Sequence, residues 1–416
     1  VSRRHGTPPV PSGVFAMRGV LQSPDSNGDA AGFDRMLAEQ GITLKLSRAV
    51  IVRTVSPPAG LTMVFARITS ACEGYLRVGT ERHSRESSLE TAMFLGEHAQ
   101  MTGDERTAFQ RSGTFHVFVV AGLHVSTVAL MLHALLSLLR IPRSPALLAE
   151  LLLVAGYVAA TGAGLPARRT FIMLAFLEAA KVLRQPGNSF AAIVLAATTT
   201  LAIDPQELFE AGFQLSYAVV TALIVMATPL ARRWENAWRP WDSLPPADRG
   251  WLRRAVRNGI RGIAHSAAVS TVALIASAPC MIGNFGLLSL GSVLANLAAV
   301  PLASLVVSAG FWSSTCGVAG WPAGCALFNR AAIVLIKGMV VLVAFGSHLP
   351  LASLAAGFRQ AWMAPVATAA IVGAMLAGAH LRWRRSAGGF WLPVAVFVLV
   401  LLFGVKFGAN AAMVAR

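Results

Sequence analysis

The sequence predicts an all-α polytopic membrane protein, with about 8–10 transmembrane or re-entrant helices behind a short β-rich extracytoplasmic segment. Three observations support this prediction. Hydrophobic residues make up 55% of the 416 residues and charged residues only 13%, whereas soluble domains have about 25% charged residues. Long apolar runs follow one another from residue 115 onward. Basic residues fall mainly in every second loop between these runs, which is typical of cytoplasmic loops.

Residues 1–58 form the predicted β-rich extracytoplasmic segment. The stretches "GVFAMRGVL" and "GITLKLSRAVIVRTV" alternate apolar and polar residues as exposed strands do, and "SPDSNGDAAG" lies between them. Two such stretches are too short to predict a closed barrel.

Residues 59–112 are predicted to form amphipathic or interfacial helices. The run from Gly60 to Arg77 is apolar, but Arg67 and Glu73 interrupt it, so we expect an interfacial helix rather than a span. A second short helix is predicted around Thr102 and Glu105, which have the spacing of a capping box.

Residues 113–416 are predicted to form a transmembrane domain of successive spans. Several runs are shorter than the roughly 20 residues that a crossing helix needs, and we expect those near Thr170 and Phe190 to be broken or tilted. The predicted spans are Phe115–Leu139, Ala146–Ala163, Thr170–Leu183, Phe190–Ile203, Phe213–Leu230, Ile263–Ala278, Leu287–Thr315, Ala331–Leu349, Ala361–His380 and Trp391–Val414.

The positive-inside rule orients this domain. If the first span starts outside, most loop Lys and Arg residues fall inside, including those of the long loop between residues 231 and 262. The N-terminal segment and the C-terminus are then extracytoplasmic. A net charge of +16 would also suit a nucleic-acid binder, but this distribution explains most of it without one. Arg168 and Arg169 are exceptions, because they lie on the predicted outer side.

The stretch "FHVFVVAGLHV" places His116, Gly122 and His124 at the head of the first span. Polar side chains inside a membrane are costly and often functional. The two rings lie eight residues apart, about 80° around a helix, so they could border one cavity without chelating a metal. The alternative is two neutral imidazoles that hydrogen-bond to neighbouring helices. If either ring contacts a cargo, we expect it to be His124, with His116 as an anchor near the interface.

The stretch "TGAGLPARRTF" contains two glycines and a proline, so a regular helix should not pass through it. Arg168 and Arg169 open the span that follows. We interpret them as a cationic collar at the mouth of a pathway for an anion. The alternative is that both side chains extend to lipid headgroups.

Polar residues also occur in two later runs. Gln214 and Ser216 lie in "DPQELFEAGFQLSYAVV", where one could line a cavity and the other bond a neighbouring helix, although packing roles are equally plausible. Asn296 lies in a run that glycines and prolines interrupt between residues 279 and 301, which favours a re-entrant or discontinuous segment. Glu178 and Lys181, three residues apart, are predicted to pair.

We find no catalytic, metal or cofactor motif in the sequence. It has no Gly-rich phosphate loop ending in Gly-Lys-Ser/Thr, no Gly-x-Ser-x-Gly and no His-Glu-x-x-His. The four cysteines show no metal-binding spacing, although Cys316 and Cys325 could pair in an oxidising compartment. We therefore expect no enzymatic activity in this chain.

Four stretches, in this order, resemble the ComEC family of DNA-internalisation competence proteins: "MFLGEHAQMTGDERTAFQRSGTFHVFVVAGLHV", "TGAGLPARRTF", "DPQELFEAGFQLSYA" and "NFGLLSLGSVLANLAAVPL". The resemblance covers about residues 32–302, and "GFDRMLAEQGI" looks like the entry to the family's OB-like domain. The sequence departs from the family pattern at two places. Thr170 replaces an alanine after the arginine, and Val119 to Ala121 replace Ala-x-Ser.

The resemblance implies a channel in the cytoplasmic membrane that admits single-stranded DNA during natural transformation. It implies a partial OB-like fold for residues 1–58, and as partners the lipid bilayer, a DNA receptor and cytoplasmic ATP-driven translocation proteins. His116, Gly122, His124, Arg168, Arg169, Gln214, Ser216 and Asn296 are then the DNA-pathway candidates. Family members usually also carry a metallo-β-lactamase-like domain, whose His-x-His-x-Asp-His signature does not occur in this sequence.

Two other functions fit the sequence. One is a membrane transporter of a small anionic or lipid-like substrate on the same scaffold, with broken helices that bind its charged group. The other is a structural fragment that is stable only beside further domains. The sequence leaves the oligomeric state open.

Overall fold

A computed structural model describes most of the chain in eleven stretches. These are residues 14–23, 43–56, 60–96, 108–109, 112–118, 120–185, 187–237, 251–347, 353–360, 362–380 and 390–408. By its internal contacts the chain divides into two compact units, Val1–Ala71 and Cys72–Arg416. The predicted capping box at Thr102 and Glu105 lies outside the described residues.

The first unit contains an antiparallel pair of strands, β1 (Val14–Gln22) and β2 (Lys45–Ser56). Their register shifts at three places, as it does where β-bulges occur. Both strands coincide with the alternating stretches in the sequence, so the two predicted strands are confirmed. The helix α1 (Leu61–Arg77) follows, where the sequence predicts an amphipathic helix.

The second unit is almost entirely helical. Its described helices are α2 (Ser84–Leu95), α3 (Gly122–Leu138), α4 (Arg143–Ala160), α5 (Leu165–Val182), α6 (Ser189–Ile203), α7 (Ala211–Ala222), α8 (Thr228–Ala237), α9 (Trp251–Phe285), α10 (Ser292–Val318), α11 (Pro322–Ser347), α12 (Met363–His380) and α13 (Trp391–Leu399). A π-helical turn, Leu223–Ala227, joins α7 to α8, so that residues 211–237 form one continuous rod.

Six of the described helices are long and apolar enough to cross a membrane: Arg143–Ala160, Ala211–Ala237, Ala255–Phe285, Ser292–Val318, Pro322–Gly346 and Met363–His380. Three further apolar helices are shorter, namely Gly122–Leu138, Ser189–Ile203 and Trp391–Gly404. Many large hydrophobic side chains point outward, such as Leu152, Val334 and Val341, as lipid-facing residues would. The protein is an all-α polytopic membrane protein, as predicted.

Each predicted span coincides with a helix, but several boundaries are wrong. The first helix begins at Gly122 rather than Phe115, because residues 115–118 form a separate 3-10 turn. The segments around Thr170 and Phe190 are continuous helices rather than broken ones. The helix α9 also continues through Pro279 to Phe285, so the predicted interruption between residues 279 and 301 is confined to Gly286–Gly291.

A three-stranded antiparallel sheet joins the ends of distant helices. Its strands are β3 (Leu287–Leu288), β4 (Leu354–Phe358) and β5 (Val405–Phe407), and β4 lies in the centre. The predicted last span therefore ends earlier than expected: a π-helical turn follows α13 and leads into β5. Backbone pairing in the sheet satisfies N–H and C=O groups where the chain leaves the helices.

Glu90 is an unusual residue in the core of the second unit. Its side chain, on α2, is 0% exposed, and within the described part of the chain neither carboxyl oxygen has a hydrogen-bond partner. Its neighbours Leu89 and Met93 pack into an apolar cluster with Ile336 and Met339 of α11. A buried polar group without a partner costs stability.

We therefore expect Glu90→Met to raise the free energy of unfolding, by about 1–3 kcal/mol. Thermal unfolding in detergent would measure it. Glu86→Met on the same helix is the control. The Glu86 carboxylate has a charged partner, because it lies 3.8 Å from the Lys337 ammonium, so this replacement should not raise the free energy of unfolding. A destabilised Glu90→Met variant would mean that the carboxyl group is needed for folding.

Candidate functional site

The chain turns sharply before the first long helix of the transmembrane domain. Gly113 adopts φ +71°, and the hydroxyl groups of Ser112 and Thr114 on either side of it lie 2.7 Å apart. A Cβ on Gly113 would lie 2.7 Å from Ser289 Oγ and 2.8 Å from Ser292 Cβ. The turn is thus packed directly against the start of α10.

His124 holds the end of this turn to the start of α3. Its Nε2–H donates to the carbonyl oxygen of Val117 at 3.0 Å, and the backbone N–H of Ala121 donates to Nδ1 at 3.3 Å. The ring is only 1% exposed. Both nitrogens are used by the backbone, so the geometry requires the neutral Nε2–H tautomer. This placement argues against our expectation that His124 contacts a cargo.

His116 lies at the surface of the same turn. Its Nδ1–H donates to the carbonyl oxygen of Gly113 at 3.0 Å, and the residue is exposed. Of the two histidines it is therefore His116 whose ring is accessible. Both rings bond to the local backbone, rather than to neighbouring helices as the alternative interpretation expects.

The helix α5 begins at Leu165, with Pro166 in its first turn. A proline is well tolerated there, because the first helical N–H groups have no partner within the helix. Arg168 and Arg169 therefore lie in the first turns of α5 rather than before it. A Cβ on Gly122 would lie 3.1 Å from Thr170 Oγ1, so the ends of α3 and α5 approach closely beside the arginines.

Arg169 is buried, contrary to its expected place at a pathway mouth. Its side chain is among the largest that are fully buried, at 1% exposure. The Nη2 atom donates to the carbonyl oxygen of Gly212 at 2.8 Å, and the guanidinium carbon lies 6.0 Å from the centre of the Tyr217 ring. The Tyr217 hydroxyl group is in turn 3.1 Å from Thr200 Oγ1 on α6. Arg169 thus connects α5 to α7.

Arg168 is the accessible member of the pair. Its side chain is 43% exposed, and its Nη2 donates to Oε1 of Glu207. Glu207 lies in the 3-10 turn Pro205–Phe209 and is only 2% exposed. Its Oε2 lies 3.7 Å from Nη1 of Arg169. The two arginines therefore share one buried carboxylate. Of the cationic collar that we predicted from the sequence, one guanidinium is exposed and the other is buried.

Glu207 was missed by the sequence analysis. The loop "DPQELFEAG" is acidic. Glu207, however, lies 38 residues beyond Arg169, and the sequence does not show which carboxylate of the loop turns inward. Asp204 holds the turn that orients it, because the Asp204 side chain accepts from the backbone N–H of Gln206 at 3.0 Å.

The other predicted pathway residues are less closely grouped. Gln214 Nε2 donates to the carbonyl oxygen of Leu208 at 3.2 Å, next to Glu207 in the same turn. Ser216 is half-buried on α7. Asn296 lies one turn into α10 after Ser292, and among the described residues its buried Oδ1 has no hydrogen-bond partner.

The interrupted motifs meet at one end of the helices. Four contacts join them: Gly113 with Ser289, Gly122 with Thr170, Arg169 with Gly212, and the Cys280 thiol with the carbonyl oxygen of Ala211. The strand β4 extends this end, since Ala356 N–H donates to the carbonyl oxygen of Gly286 at 3.0 Å. The positive-inside rule predicts that this end faces outward.

Two polar side-chain pairs lie towards the opposite ends of the helices. Lys181 Nζ is 2.6 Å from Glu178 Oε1, which confirms the predicted pair. His133 Nδ1 lies 3.0 Å from Glu150 Oε2, a contact between α3 and α4 that the sequence analysis did not identify. The four cysteines are free thiols. No group of three His, Cys, Asp or Glu residues within the described ranges is arranged to hold a metal ion.

Comparisons with known proteins identify a matching family and two similar proteins. A family model described as "Competence protein" matches residues 93–385, which is well over half of the chain. ComE operon protein 3 of Bacillus subtilis (strain 168) is 33% identical over 137 residues, which cover 33% of this chain and 18% of that protein. The uncharacterized protein YcaI of Escherichia coli (strain K12) is 25% identical over 220 residues, which cover 51% of this chain and 26% of that protein.

The matches thus cover only a small part of these curated relatives. No solved structure matches the chain significantly. The family match includes every motif of the helix end described above. On this evidence the chain belongs to the competence protein family.

Proposed function

We propose that this protein acts in DNA uptake during natural transformation, as the membrane conduit that admits single-stranded DNA across the cytoplasmic membrane. One observation supports this most directly: the motifs of a competence family meet at one end of the helices, and the same end carries Arg168, an exposed guanidinium held beside a buried carboxylate. A guanidinium suits phosphate groups, because its fork of donors matches their oxygens.

The proposed conduit binds its cargo weakly. A pathway must hold a polyanion loosely enough for each phosphate to move on. Glu207 neutralises part of the positive charge of the two arginines, which lowers their attraction for phosphate. DNA binding at this end should weaken as salt rises, because it depends on counterion release.

Cytoplasmic partners would supply the energy for movement. The sequence contains no Gly-rich phosphate loop with the pattern of a nucleotide motor. We propose that ATP-driven proteins on the cytoplasmic side pull the strand, and that a DNA receptor delivers it to the outer side. We assign no catalytic step to the described residues.

Replacing Arg168 by glutamine tests the proposal. We expect uptake of labelled DNA to fall about tenfold, because one charge-assisted contact to phosphate is worth about 1.5 kcal/mol. The assay uses cells that carry the complete gene, with protein abundance measured in parallel. Arg359→Gln is the control, since Arg359 is an exposed arginine that follows β4 at the same end and should leave uptake unchanged.

Two outcomes would contradict this proposal. Normal uptake by Arg168→Gln at normal abundance would exclude Arg168 from the pathway. An absence of DNA uptake in cells that express the unaltered gene and are competent by other criteria would favour the alternative function, a transporter of a small anionic or lipid-like substrate. Transport of labelled phosphate-containing metabolites would then be measured.

A further inference from the structure

Glu207 is shared by two arginines that differ greatly in exposure. Arg168, 43% exposed, binds Oε1 directly, whereas buried Arg169 approaches Oε2 only to 3.7 Å. That separation is too long for a hydrogen bond. Three buried atoms have no hydrogen-bond partner in the described part of the structure: Glu207 Oε2 and the Nη1 and Nε atoms of Arg169.

Glu207 and Arg169 could form a further hydrogen bond with each other. Unpaired buried donors and acceptors are costly. Here a donor, Arg169 Nη1, and an acceptor, Glu207 Oε2, both without hydrogen-bond partners among the described residues, lie 3.7 Å apart. A side-chain shift of about 1 Å would bring Oε2 within hydrogen-bond distance of Nη1. Glu207 can therefore keep a charged partner if Arg168 turns away from it.

We propose that Glu207 is a switching carboxylate: binding of one phosphodiester group at Arg168 moves Glu207 from Arg168 to Arg169. The inference rests on the proposed function and assigns different roles to the two arginines. Arg168 binds the anion. Arg169 is a positioning residue that receives Glu207, and Glu207 sets the affinity because it competes with phosphate for Arg168.

The contacts of Arg169 distinguish this model from a simple collar in which both arginines bind phosphate. Arg169 already donates to the carbonyl oxygen of Gly212 and lies over the Tyr217 ring. A Cβ on Gly212 would lie only 3.7 Å from Nη2, so the guanidinium fits closely against the start of α7. Reaching a phosphate in solution would break these contacts, whereas Arg168 is exposed without any rearrangement.

Dimethyl phosphate, a monoanion with the chemistry of a phosphodiester, is a suitable probe. Its binding to the full chain purified in detergent would be titrated by thermal shift. The decisive variant is the double replacement Arg169→Gln with Glu207→Gln. Unaltered protein has two arginines and one carboxylate here, and the double variant has one arginine and no carboxylate, so the net charge of the three side chains is the same. The double variant also leaves neither buried charge without its partner.

We expect the double variant to bind dimethyl phosphate about tenfold more tightly than the unaltered protein, because Arg168 no longer has a competitor. The single variant Glu207→Gln should bind as tightly as the double variant, since Arg169 acts only through Glu207. Arg169→Gln alone should bind more weakly than the unaltered protein, because Glu207 then depends wholly on Arg168. Glu210→Gln, an exposed carboxylate in the same loop, is the control and should change little.

Weaker or equal binding by the double variant would overturn the inference, because a collar of two arginines loses a ligand in that variant. The outcome is separate from the uptake assay. If the double variant binds more tightly but cells take up no DNA, the switching carboxylate stands as an anion site and the proposed function fails. If uptake depends on Arg168 but the double variant gains no affinity, the switch alone fails.

Discussion

Replacing Gly113 by alanine should destabilise the protein by about 2–4 kcal/mol, which combines a left-handed backbone penalty of about 1 kcal/mol with the cost of overpacking. The residue adopts φ +71°, and an added Cβ would lie 2.7 Å from Ser289 Oγ and 2.8 Å from Ser292 Cβ. Ser292 is the first residue of α10, and Ser289 lies in the short connection that leads into it. The expected result is a lower midpoint of thermal unfolding in detergent.

Gly320→Ala separates the two causes of this loss. Gly320 has the same φ of +71°, but nothing lies within 4 Å of the position that its Cβ would take. Its replacement should cost only the backbone penalty, about 1 kcal/mol. Equal losses in the two variants would show that the surroundings of Gly113 accommodate a methyl group, so that the turn is not closely packed against α10. A larger loss for Gly113→Ala would confirm that the turn at Gly113 packs closely against the start of α10.

The sequence predicts the spans well because each depends on local composition. A run of apolar residues is visible without knowing what it packs against, and every predicted span coincides with a helix. Boundaries are less well predicted. The helix α3 starts at Gly122 because residues 115–118 form a separate 3-10 turn, which His124 of α3 holds through the carbonyl oxygen of Val117. The apolar residues of that turn look like the beginning of the span.

The features that could not be predicted from the sequence depend on contacts between residues that are far apart in the chain. The pairing of β3, β4 and β5 joins segments about 50 to 70 residues apart, and short apolar strands next to apolar helices leave no distinct pattern. Arg169 and Glu207 show the same limit. Both charges are visible in the sequence, but only the fold shows that one arginine is buried against the carboxylate while its neighbour is exposed.

His124→Phe should destabilise the protein by about 2–4 kcal/mol, because two backbone groups lose their partners in the interior. Phenylalanine preserves the flat ring but can neither donate to the carbonyl oxygen of Val117 nor accept from the N–H of Ala121. His116→Phe is the matched control. His116 makes one backbone hydrogen bond and is exposed, so water can replace the bond and the loss should stay below about 1 kcal/mol.

Uptake measured per folded molecule then distinguishes a structural His124 from one that contacts DNA. If the ring only holds the turn to α3, uptake of DNA by cells should be nearly normal for each folded molecule of the His124→Phe variant. Total uptake should then fall in proportion to the amount of folded protein. A much larger fall would mean that this histidine also contacts the cargo in an open state. Both nitrogens of the buried ring are hydrogen-bonded to the backbone. Opening the turn would break both hydrogen bonds. We therefore expect the proportional result.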